Sequence, residues 1–277
     1  MMKTIRNLQW QKHVPELVLG VLFILIYMPI FWWMWERWFA PDSYYTHGIL
    51  VPFVTAFLIW YKRDVLRKIP LESSPWGLKL IVLGILIHLL SALFRIYFTS
   101  GFSMLIVIMG LVLHFYGEKV FKETAFALCF LVFMVPLPMI IVTGISFKLK
   151  LYVAHIAAGV LNNIRIPAIE DGSIIRMPHA EVIVDDVCSG LRSLISLTAL
   201  GSLFAYWMTA NKIKKVILFV STIPIAVVTN VFRIVVLAVI SEVWGAQYAK
   251  GLLHELTGLS VFALACVLLA FVGKLLE

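Results

Sequence analysis

Apolar runs of bilayer length recur along the 277-residue chain, separated by short basic loops. Runs at 17–35, 47–61, 77–95, 101–117, 123–136, 188–208, 214–240 and 254–275 read as spans, the second and fifth being short. The stretch 139–162 differs in kind. It carries Lys148, His155 and Asn162 seven residues apart, near one helical face, which predicts an amphipathic helix lying along the outer surface. Between 164 and 187 the helical period disappears. Short β-branched runs there are separated by the turn signals Asp171-Gly172 and Pro178-His179, which predicts a small β-meander outside the membrane. The expected fold is therefore an all-α polytopic membrane protein of about eight transmembrane helices. It forms a single domain over 1–277, with 139–187 as an extracytoplasmic insertion.

Composition agrees with this pattern. Hydrophobic residues make up 62% of the chain and charged residues only 14%, far fewer than the quarter or so typical of a soluble domain. The net charge of +8 does not point to nucleic acid, because the cations sit in short loops between apolar runs, where they determine topology. With the N-terminus in the cytoplasm, Lys3, Arg6, Lys12, the loop 62–68, Lys119, Lys122, the "NKIKK" run at 211–215 and Lys274 all fall inside. A crossing by 139–162 would flip every later loop and put "NKIKK" outside, against the positive-inside bias. The first apolar run is too long for the core of a signal peptide and is read as a retained span. Three cysteines give no even-numbered disulfide framework. Cys129 and Cys266 lie in apolar runs and read as packing residues, whereas Cys188 stands in a polar stretch, "VDDVCSGLRSL".

A helix rises about 1.5 Å per residue, so heights can be compared along separate spans. Measured from the inner basic residues, Cys188 lies about 34 Å from Asn211, Arg233 about 27 Å from Lys215, and His254 about 30 Å from Lys274. The hydrocarbon core is about 30 Å thick, so three helices carry a thiol, a guanidinium and an imidazole to its outer edge. Arg192 is expected one helical turn below Cys188. An arginine inside a span is costly and faces the bundle interior or water. These groups suit acyl transfer: a thiolate attacks a carbonyl, imidazole moves the proton, and guanidinium steadies the oxyanion. Structural readings compete, since a cysteine at a helix start is commonly structural and an arginine near a span end can snorkel.

"CSGLRSL" at 188–194, "NVFRI" at 230–234 and "HELTG" at 254–258, in that order, resemble the exosortase/archaeosortase family. "YYTHGILVP" at 44–52 and "FMVPLP" at 133–138 are similar to further elements of it, with Thr46 where the family has serine. The resemblance covers residues from about 40 to 265. It implies a membrane cysteine protease or transpeptidase acting on C-terminal sorting signals. Cys188 would be the nucleophile, His254 the proton-transfer residue and Arg233 the oxyanion stabiliser. Asn230 would orient Arg233. Ser189 and Arg192 belong to the cysteine signature, and His47 matches a motif position that can equally be structural. The implied substrates are membrane-anchored proteins ending in a short motif, often Pro-Glu-Pro, then an apolar span and a basic cluster. A cation for that glutamate could come from Arg192, Arg165 or Arg176. The implied location is a cell membrane, by default a bacterial inner membrane, with both termini cytoplasmic and the site outside. No metal or organic cofactor is expected, and no nucleic-acid partner. A transporter, or a non-catalytic scaffold of an envelope or exopolysaccharide assembly, is the alternative.

Overall fold

The computed structural model describes residues 2–41, 43–185, 189–247 and 252–277, with 2–16 and 252–255 described by backbone only. The helices are α1 (Met2–Trp38), α2 (Leu50–Tyr61), α3 (Arg63–Leu66), α4 (Pro75–Leu93), α5 (Tyr97–Phe130), α6 (Met139–Asn163), α7 (Leu191–Trp207), α8 (Lys212–Trp244) and α9 (Leu252–Leu276). Three short strands, β1 (Ile169–Asp171), β2 (Ile174–Arg176) and β3 (Glu181–Ile183), separate α6 from α7. Among the described residues, six helical stretches are long and apolar enough to cross a membrane: Leu17–Trp38, Pro75–Leu93, Tyr97–Met134, Met139–Asn163, Lys212–Trp244 and Leu256–Leu276. Thr46–Tyr61 is a shorter apolar helix, and α7 has 17 residues. The chain is a polytopic, all-α membrane protein. It divides into two compact units, residues 1–40 with 48–136, and residues 41–47 with 137–277.

In the first unit, close helix contact depends on small residues. A Cβ at Gly84 would sit 2.6 Å from a Val107 methyl, and one at Gly110 would sit 2.9 Å from the Ile81 amide nitrogen. Gly77 lies directly against the His114 backbone. Lipid tails are as apolar as leucine, so close packing of this kind, more than the hydrophobic effect, holds α4 to α5.

α5 is not one rod. Gly117 has φ +84° and ψ 179°, outside helical geometry. In an unbroken helix, Gly101 and Val135 would be about 50 Å apart. Instead, a Cβ at Gly101 would lie 2.7 Å from a Val135 methyl. The chain therefore doubles back at Gly117. The second half runs antiparallel to α2, pinned by Thr55 Oγ1 donating to Ala127 O at 3.2 Å and by Lys62 Nζ to Glu123 Oε2 at 2.8 Å. The run Tyr97–Met134 is thus two helices, at the break the sequence places between 117 and 123.

In the second unit, the meander forms as its turn residues require. The sheet order is β1-β2-β3, antiparallel throughout, and Gly172 turns the first hairpin at φ +63°. One side of the sheet enters the core: Ile175 and Val184 pack with Val153, Ala157 and Leu161 of α6 and with Val231, Ile234 and Ala238 of α8. The polar face of α6 holds the strand that follows it. His155 Nδ1 lies 2.8 Å from Glu170 Oε2, and Asn162 exchanges two 2.9 Å hydrogen bonds with the Ala168 backbone. By length α6 could cross a membrane, but it is the least apolar of the six stretches. Its last turns end beside the C-terminal half of α8.

Candidate active site

α7, α8 and α9 pack side by side and set the heights of the candidate residues. Two contacts fix the pairing of α8 with α9. A Cβ at Gly273 would lie 3.7 Å from Leu218, and one at Gly258 would lie 3.3 Å from Arg233 Nη2. Both steps advance fifteen residues, so the antiparallel register runs without slippage. Continued by one turn, it puts the backbone of His254 level with Leu237, one turn beyond Arg233. α7 runs antiparallel to α8 as well: Gly201 lies against Thr222, and Gly190, just before α7, against Asn230.

The start of α7 corrects the sequence reading. The helix begins at Leu191, not at residue 188. Its cap, Gly190, is left-handed at φ +85°, ψ −1°, and cannot belong to the helix it precedes. The span expected from residue 188 therefore starts as a helix three residues later, at Leu191. Cys188 lies outside the described residues, as does the side chain of His254. Ser189 is fully buried and its Oγ accepts the Leu191 N–H at 3.3 Å, closing the turn. Glycine at 190 is demanded twice, by its φ and by space, since a Cβ would come within 2.7 Å of Asn230 Nδ2.

Asn230 and Arg233 are both buried in α8, at 4% and 8% exposure. A Cβ at Gly258 would stand 3.3, 3.5 and 3.9 Å from Arg233 Nη2, Cζ and Nε, so the guanidinium lies against the bare backbone of α9. This arginine is not snorkelling to the surface. The bundle encloses it at the turn of α9 that follows His254.

A second polar group sits on α7. His47 Nδ1 and Ser196 Oγ are 3.1 Å apart, and the Tyr45 ring stacks on the imidazole at 6.0 Å between centroids. The Tyr45 hydroxyl bonds with the Leu137 backbone, yet burial still pushes its pKa up, so it stays protonated. One turn before Ser196, Arg192 has a buried Nε with no hydrogen-bond partner among the described residues.

The other candidate cations are placed differently. Arg176 is engaged by Asp171 at 2.9 Å and by Glu181 at 3.6 Å. Arg165 lies in the exposed turn after α6, with φ +68°. The meander is fastened to α8 by Glu242, whose carboxylate accepts the His179 N–H at 3.1 Å and meets His179 Nδ1 at 2.7 Å. Cys129 is exposed and not the packing residue its apolar run suggested, because it falls on the outward face of α5.

The structure thus brings Asn230 to Gly190, Arg233 to Gly258, and His47 to α7. Sequence reasoning did not identify Gly258, Ser196 or Glu242. Gly258 was visible only as part of a motif. Ser196 stands one turn after Arg192, a spacing with meaning only once α7 is known to face His47.

A membrane-spanning helical scaffold that encloses an arginine and an asparagine, with a small sheet packed on two of its helices, defines a polytopic membrane protein. Residues 32–271, most of the chain, match the family model described as transmembrane exosortase (Exosortase_EpsH), and the chain belongs to that family. No curated protein and no solved structure matches it. Membership supports, in general terms, a sorting or transpeptidase role within the membrane, in a family of cysteine proteases and transpeptidases that act on sorting signals.

Proposed function

We propose that the chain is a cysteine endopeptidase or transpeptidase that cleaves C-terminal sorting tails of exported proteins at the outer face of the membrane. Cys188 Sγ attacks the scissile carbonyl and His254 takes the thiol proton. The oxyanion that forms is steadied by Arg233. When the carbon–nitrogen bond breaks, His254 returns the proton to the departing amine of the tail, leaving a thioester on Cys188. Water or an acceptor amine then attacks the thioester, which decides between hydrolysis and transpeptidation. Asn230 acts as a positioning residue through its contact with the turn after Cys188.

The observation that carries this reading is the burial of Asn230 and Arg233, each against a glycine of one of the two other signature motifs, Gly190 in the turn before α7 and Gly258 in α9. A buried guanidinium facing a helix backbone is costly as mere packing. It is well suited to stabilising a charge that appears only during reaction. Arg192 is assigned to the substrate carboxylate, because its buried Nε has no hydrogen-bond partner among the described residues whereas Arg176 is already paired. We place both termini in the cytoplasm and the site on the periplasmic side of a bacterial inner membrane. The scissile bond of a motif–span–basic-cluster tail would lie at that height.

Co-expression with an epitope-tagged tail tests the proposal. Wild type should release the tail, whereas Cys188→Ala, Arg233→Ala and His254→Ala should not. A tail left uncut by wild type would favour the scaffold or transporter reading. Tail cutting that survives Cys188→Ala would remove the thiol from the mechanism.

A further inference from the structure

A groove of about 470 Å³ opens in the first unit, well away in sequence from the residues discussed above. It lies between α2, the short α3 and both halves of the α5 hairpin. Val120, Thr124 and Leu128 line it in successive turns of α5, so it runs for about 12 Å along that helix. Ile59 and Val112 complete an almost wholly apolar wall. One end is different: there the lining is Arg63 and Arg67, with Trp60 and Tyr116 beside them.

The charges at this end do not balance. Lys62 is taken by Glu123 at 2.8 Å, Lys119 by Glu72 at 3.2 Å, and Lys122 by Glu118 at 4.0 Å. Asp64 lies 3.9 Å from Arg63 Nε, while Arg63 Nη1 donates to the Trp60 carbonyl and its guanidinium sits 4.3 Å from the Trp60 ring. Each nearby carboxylate is thus engaged. Arg67, which lines the groove, forms no ion pair among the described residues, and Arg63 keeps part of its fork open. The site presents an apolar channel, two guanidinium groups at its mouth, and two half-exposed aromatic rings of the kind found at membrane interfaces.

We propose that this groove binds one anionic glycerophospholipid, with an acyl chain lying along α5 and the headgroup phosphate held by Arg67 and Arg63. The commitment to a lipid rests on charge complementarity and on setting: a hydrocarbon-lined channel closed at one end by cations, on a helix that spans the bilayer. Guanidinium matches phosphate in shape and charge, with two parallel hydrogen bonds available. Basic pockets between transmembrane helices bind anionic lipid headgroups by the same physics.

Native mass spectrometry of the full chain, with phosphatidylglycerol and phosphatidylcholine of identical acyl chains added in detergent, tests this. The expected result is a single phosphatidylglycerol adduct, at least tenfold more populated than the phosphatidylcholine adduct. Arg67→Gln should reduce it at least fivefold, and Arg63→Gln/Arg67→Gln should abolish it. Lys68→Gln changes a neighbouring exposed cation that does not line the groove and should bind like wild type. Val120→Trp fills the channel and should remove the adduct although both arginines remain. Arg67 is exposed, so its variant keeps the fold, and the melting temperature in detergent verifies that. Equal retention of the two lipids, or equal losses in Lys68→Gln and Arg67→Gln, would reduce the effect to general surface charge and overturn the site. A groove filled by a second copy of the chain would appear as a dimer with no lipid mass, and would overturn it as well.

Discussion

Gly190 and Gly258 set the limits of the candidate site more tightly than any polar residue does. At 190 a side chain would need a left-handed backbone, costing about 1–3 kcal/mol, and would also press on Asn230. Gly190→Ala should therefore lower the melting temperature in detergent, and Asn230→Ala should recover part of that loss without restoring tail processing. Additive losses in the double-mutant cycle would show that the contact does not couple them. Arg233→Gln should lower turnover of the tail by about 10² or more, the usual cost of removing one oxyanion donor, with little effect on folding. At this scale the sequence was legible where a residue offends its surroundings. An arginine inside "TNVFRIVV" marks itself. A glycine that accommodates a neighbour's guanidinium leaves no such mark, because its contribution is space, and Gly258 was read only once the α8–α9 register was known. The start of α7 was misplaced for a related reason: a span drawn back from the apolar run gives no sign of the left-handed φ at Gly190 that ends it.

Two turns decide how the helices and strands are arranged. Gly117 reverses the chain between the halves of α5, and a Cβ there would collide with the Glu72 carbonyl while adopting φ +84°. Gly117→Ala should destabilise the first unit by about 1–3 kcal/mol from backbone strain alone, more if Glu72 cannot move, read as an earlier thermal transition in detergent. The break at this position was legible because Lys119 and Lys122 interrupt the apolar run, although helix continued on both sides. The meander was the most legible element of all, since Asp171-Gly172 and Pro178-His179 are turn chemistry and the strands between them have nowhere else to pair. Its fastening was not legible: Glu242 lies 63 residues from His179, on a helix whose facing side only the fold reveals. The Glu242 side chain is 11% exposed and accepts two hydrogen bonds from His179. Glu242→Ala should leave helical content unchanged and speed proteolytic cutting at the β2–β3 turn. An unchanged cutting rate would mean that the apolar contacts of Ile175 and Val184 hold the sheet unaided.

For the molecule as a whole, the account joins a membrane-spanning helical scaffold to chemistry at one membrane surface, and the ruler along three helices is what links them. The α8–α9 contacts bear on that ruler directly, because Arg233 and Gly258 meet while Leu218 and Gly273 meet fifteen residues away on each helix. The relative heights on α8 and α9 were legible because both helices run at about 1.5 Å per residue over the fifteen residues between the two contacts, whereas Cys188 lies outside the described residues. Which residues face one another at a given height was not, since that depends on rotation about each helix axis. A membrane-impermeant maleimide should label Cys188 from the side opposite a cysteine introduced as Lys214→Cys, and labelling of both from one side would reverse the proposed topology. The central claim is that Cys188 carries the acyl group during tail cleavage. The decisive measurement is the mass of the Cys188-containing peptide, acid-quenched during co-expression with a tagged sorting tail. The account predicts a fraction bearing the upstream fragment as a thioester, released by neutral hydroxylamine and missing in Cys188→Ala. Tail cleavage that continues in Cys188→Ala, with no adduct on the wild-type thiol, would contradict it.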